Sequence, residues 1–117
     1  MLTNKNETVY ETTAKLTVVD KELCKAYIKG AVHSFCNNNP ARRFTARALF
    51  GGKNTDWSDT PLDKIYQYHK YIASSDNPNK QAAIDVGRLL KAVLIEDTTY
   101  TYEMIDGYVN EYQAIEQ

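Results

Sequence analysis

Residues 42–50 read RRFTARALF, and whether they form a strand or a helix decides the class of the fold. Phe44, Ala46, Ala48 and Phe50 alternate as they would along a half-buried strand. The flanks favour a helix instead. Asn39-Pro40 supplies a cap with proline at the first position, and Gly51-Gly52 supplies a stop. On the helix reading, residues 40–50 make the chain mainly α: a small bundle of four to five helices with an N-terminal β-strand. On the strand reading, residues 43–50 make it α+β and offer that N-terminal strand a partner.

The strand itself is expected at Thr8–Val19, TVYETTAKLTVV, where β-branched residues are dense. Upstream of it, residues 1–6 read as a mobile tail, leaving 7–117 as a single helical domain. Asp20 is placed to cap a helix at 21–36, with Leu23, Cys24, Tyr27, Ile28, Ala31 and Phe35 forming one apolar stripe. Thr60-Pro61-Leu62-Asp63 opens a helix at 61–74 with Leu62, Ile65, Tyr66, His69 and Ile72 inward. Asn77-Pro78 opens another at 78–95, where Ala83, Val86, Leu90, Val93 and Leu94 share a side and Gly87 suggests a close helix approach. A final helix at about 101–115 would line up Tyr102, Ile105, Val109 and Tyr112. Gly107 inside it costs about 1 kcal/mol relative to alanine.

A chain of 117 residues with 43% hydrophobic and 25% charged content fits one packed domain and argues against disorder. No apolar run reaches the roughly 18 residues that span a bilayer, and MLTNKNETVYETT lacks a signal-like apolar segment. A soluble, cytoplasmic protein with no membrane partner is expected. Cys24 and Cys36, on one expected helix, would lie roughly 18 Å apart at 1.5 Å rise per residue, too far to bridge. Inert buried thiols are the simpler reading.

Chemistry-bearing patterns are sparse. His33 and Cys36 sit three apart, but zinc sites pair such ligands with a second close pair, which is missing here. His69 lies on an apolar face, where a hydrogen-bonded core histidine is the commoner case. Cys36 and His33 lack an identifiable orienting group or oxyanion hole. Asp56, Asp59 and Asp63 flank Trp57 but fit loop and capping work. Gly51-Gly52-Lys53 is only a fragment of a phosphate-binding loop. The expectation is therefore no metal, no cofactor and no catalytic set.

Charge is the stronger signal. Residues 1–53 carry nine Lys/Arg against four Asp/Glu, and residues 54–117 carry five against eleven. Lys21, Lys25, Lys29 and His33 form a row at intervals of four, continued by Arg42, Arg43 and Arg47. Such a row can track a phosphate backbone, so these cations are the candidate nucleic-acid contacts. From Glu96 onward come six acids and no base, interleaved with four of the nine tyrosines. Tyrosine is enriched at interfaces, where it buries apolar area and keeps a hydroxyl for bonding. Tyr100, Tyr102, Glu103, Asp106, Tyr108, Glu111 and Tyr112, with Trp57, are the candidate partner-binding residues. The basic and acidic surfaces can also face each other, within the chain or across a homodimer.

The stretch FTARALFGGKNTDWSDTPL, residues 44–62, is the most distinctive in the chain. In size and composition the whole resembles the small accessory proteins of phages and mobile elements, among them inhibitors of host defence. Tyrosine richness, segregated charge and the missing catalytic set lead to the expectation of a small non-enzymatic protein that binds or blocks another macromolecule, most naturally a protein. A nucleic-acid-binding module using the basic first half is the alternative.

Overall fold

The computed structural model describes residues 1–3, 9–52 and 54–116. It is a mixed α+β fold, and residues 42–50 turn out to be both strand and helix. The elements are α1 (Val18–Asn38), β1 (Arg43–Thr45), α2 (Ala46–Phe50), α3 (Asp63–Gln67), α4 (Pro78–Glu96), β2 (Thr101–Ile105) and β3 (Glu111–Glu116). A π-helical turn, Tyr68–Ile72, continues α3. The three strands form an antiparallel sheet in the order β1-β3-β2.

Strand and helix meet at Thr45. Its side chain accepts from the Ala48 amide at 3.0 Å, so the alternation that starts at Phe44 is cut off by an N-cap. Gly51 then closes α2 at φ 81°, where any side chain is strained and a Cβ would also overlap Thr55. The Trp57 indole donates to the Phe50 carbonyl at 2.6 Å and is buried. The distinctive 44–62 stretch thus runs from the end of β1 through α2 into a loop that holds a buried tryptophan. Lys53, third residue of the phosphate-loop fragment, lies outside the described residues.

The expected C-terminal helix is instead a hairpin. Tyr102 and Met104 on β2, with Tyr112 and Ala114 on β3, turn to the core at a period of two. Gly107, a cost inside the expected helix, lies with Asp106 in the loop between the strands, where Asp-Gly is a strong hairpin signal. The expected strand at Thr8–Val19 is also corrected. Residues 9–17 are non-helical chain without strand pairing, Thr17 caps α1 through a bond from Asp20 N, and Val18 and Val19 begin the helix. Thr8 and residues 4–6 of the expected tail lie outside the described residues. Leu2, in that same stretch, is buried and bridges in parallel to Tyr102.

The core lies between α1, α4 and one face of the sheet. Cys24, Ile28, Val32 and Cys36 repeat every four residues on α1, whereas Leu23 and Tyr27 of the expected stripe are exposed. On α4, Val86, Leu90, Val93 and Leu94 are buried as expected, joined by Ala82 and Leu89. Asn77 caps this helix through Lys80 N, with Pro78 at its start. On the preceding segment Leu62, Ile65 and His69 are buried but Ile72 is exposed, because the helix starts at Asp63 and widens into the π turn. Thr60 serves that start only through a turn, donating to the Trp57 carbonyl. Both cysteines are free and buried. Among the described residues no helix is long and apolar enough to cross a membrane.

Candidate functional site: a cation-rimmed groove

The charge split resolves largely into internal pairs. Lys25 Nζ lies 2.7 Å from Glu96, His33 Nε2 lies 2.7 Å from Asp97, and Arg43 lies 2.6 Å from Glu111 across the β1–β3 pair. Lys21 approaches Glu11 at 3.5 Å. Three of the four residues in the α1 row therefore face carboxylates of the same chain, and the fourth, Lys29, has no ion-pair partner among the described residues. Arg42 sits over the Tyr100 ring, 5.4 Å from its centroid. The expected phosphate-tracking row is in this way substantially neutralised, although exposed pairs contribute only about 0–1 kcal/mol each.

The expected aromatic contact surface is also mostly interior. Trp57, Tyr100, Tyr102 and Tyr112 are buried, so their rings are closed to a partner. Tyr108 is fully exposed in the hairpin loop, Asp106 is exposed beside it, and Glu103 and Glu111 are half-buried on the strands. Because the segment is a hairpin, its acids and tyrosines do not form one helical face.

Two buried carboxylates organise the interior. Asp97 accepts from Tyr102 Oη at 2.6 Å, from Thr99 N at 2.9 Å and shares its contact with His33. Burial pushes its carboxyl up, but these bonds outweigh it and hold the group below the ordinary Asp value. Asp85 accepts from the amides of Thr13 at 2.8 Å and Ala14 at 3.0 Å, and bonds His69 Nε2 at 2.8 Å. Thr13 Oγ1 meets that same Nε2 at 3.4 Å. A nucleophile–base–acid relay needs hydroxyl and carboxylate on opposite ring nitrogens. Here both meet one nitrogen, and the arrangement is a clamp that holds residues 9–14 to α4.

The buried protonated groups set an alkaline limit. Burial raises the Tyr102 and Tyr112 hydroxyls and the Cys36 thiol, and pushes the Cys24 thiol up to about 11. The unfolded chain loses these protons first, so stability should be full below about pH 8.5 and fall as pH rises further. Each such group contributes a slope of about 1.4 kcal/mol per pH unit between its unfolded and folded values. Asp97 acts in the opposite sense, its contribution being lost as pH falls below about 4. Urea midpoints between pH 3 and 10.5 test this; a flat profile from pH 7 to 10.5 would refute the alkaline limb.

Sequence reasoning missed a groove of about 580 Å³ that four segments enclose. Val9 and Tyr10 come from the clamped segment, Ile84 from α4, and Tyr108 and Val109 from the hairpin loop; all are exposed. Leu90 and Tyr112, both buried, also line it. Gly87 lines it too, and a Cβ there would meet nothing within 4 Å, so this glycine opens the groove and does not admit a neighbouring helix. Arg47, Arg88 and Lys91 also line it, and the lining holds no carboxylate among the described residues. The one sequence signal was Gly87 itself, a glycine inside an otherwise strong helix. A depression of about 610 Å³ near Asn37, Pro40 and Gln113 is more open and more polar. Among the described residues no cluster of three or more His, Cys, Asp or Glu is placed to hold a metal ion. Neither a family model, a curated protein nor a solved structure matches this chain.

Proposed function

We propose that this chain is a small non-enzymatic binding protein that occupies a surface of another protein, with the groove between α4, the 9–10 segment and the hairpin loop as its contact face. The observation that carries the reading is convergence. Exposed apolar side chains from three separate parts of the chain gather around one concavity, and such patches on a monomer commonly mark interaction sites. A binder of this size acting as an accessory inhibitor fits the composition, and two free thiols fit a cytoplasmic setting.

The test uses peptides of about twelve residues selected from a random displayed library on the full chain. Gly87→Leu places a side chain into the groove and adds helix propensity, so the fold should be kept. The selected peptides should lose at least about tenfold in affinity for this variant. Selected peptides that all bind Gly87→Leu as they bind the parent would overturn the assignment of the groove.

A further inference from the structure

We infer that the groove takes an acidic amphipathic peptide segment, one in which Asp or Glu side chains flank one or two large apolar anchors. The inference rests on the groove being the contact face and goes on to name the chemistry of its occupant. The chain distributes its counter-charges unevenly. On α1, Lys21, Lys25 and His33 each meet an acid of the same chain, as does Arg43 on β1. Around the groove, Arg47 and Lys91 have no ion-pair partner among the described residues. Arg88 is only partly committed, donating to the Glu11 carbonyl at 3.1 Å and lying 3.7 Å from Asp85.

Three cations around a mostly apolar pit, with no carboxylate among the described residues that line it, set the complement required. The occupant brings negative charge to the rim and apolar surface to the exposed side chains of Val9, Ile84 and Val109. A peptide with alternating acids and apolar side chains supplies both. A nucleic-acid backbone would ask for cations spaced along a track, and in the row that has that spacing, on α1, three of the four residues are already paired.

Random peptides of about twelve residues are selected on the full chain at low salt, and the enriched sequences are measured against parent, Arg47→Glu/Lys91→Glu, Gly87→Leu and Lys29→Glu proteins. Enriched peptides should carry an excess of Asp and Glu around an aromatic or leucine residue. Their affinity should fall at least about tenfold on the double charge reversal, weaken with added salt, and hold on Lys29→Glu, which lies outside the groove. Thermal melts of each variant confirm that the fold persists. Peptides without an acidic excess, or indifferent to the double reversal yet blocked by Gly87→Leu, overturn the inference and leave the groove as the contact face. Displacement of the peptides by a single-stranded thymidine oligonucleotide of about twenty bases at comparable concentration overturns it in favour of nucleic acid. Peptides indifferent to Gly87→Leu overturn both readings.

Discussion

Asp85→Ala should lower the free energy of unfolding by about 3–5 kcal/mol, the range for removing one partner of a buried charged network. The carboxylate is fully buried and receives two backbone amides, the Thr13 hydroxyl and the His69 imidazole. Its loss leaves those groups to find water or go unmet, and each unmet buried donor costs about 1–3 kcal/mol. Because a domain of this size has only about 5–15 kcal/mol in hand, the variant sits near the edge of folding. Chemical denaturation measures the loss, and hydrogen exchange locates it: amides of residues 9–17 should lose protection before those of α1. Asp85→Asn keeps one acceptor oxygen and should recover part of the difference. A change below about 1 kcal/mol for Asp85→Ala would mean that the clamp contributes little.

Phe44→Ala should cost a similar amount, about 3–5 kcal/mol, by a different route. Phe44 is buried on β1, with its ring centroid 6.0 Å from Phe35, 6.2 Å from Tyr102 and 6.0 Å from Tyr112. Truncation opens a cavity at the junction of α1 and the sheet and dissolves three aromatic pairs, each worth about 0.5–1.5 kcal/mol beyond its buried area. Phe44→Leu keeps most of the volume and should lose less than half as much. Urea unfolding of both variants checks the order; equal losses would show that shape at this position is unimportant.

Helices α1 and α4 were legible because their apolar residues recur at helical spacing over some five turns and because Asn77-Pro78 is a physical start signal. The hairpin was not, although its evidence was present. Residues 102, 105, 109 and 112 satisfy a helical period by coincidence, while 102, 104, 112 and 114 satisfy a strand period on either side of Asp106-Gly107. Only the turn chemistry separates these readings, and it favours the hairpin. Residues 9–17 misled for another reason. Their β-branched composition suits extended backbone, but the bonds that hold the chain come from a side chain 71 or 72 residues away, which no local pattern reveals. The charged rows were visible as rows, yet their neutralisation depended on which elements pack together. The groove was least legible of all. Its walls come from residues 9–10, 45–52, 83–91 and 108–112, and only the assembled fold makes them neighbours.

The strand order carries a consequence for how the molecule is made. β3 follows every other element in the chain, yet it is the central strand, bonded to β1 on one side and β2 on the other. On a ribosome, α1 and α4 can meet while β1 and β2 still present unsatisfied edges, and the sheet can close only once residues 111–116 have emerged. Until then Phe44 and Tyr102 lack the strand that joins them. The sheet therefore depends on pairings distant in sequence, which close late and leave apolar edges open until they form.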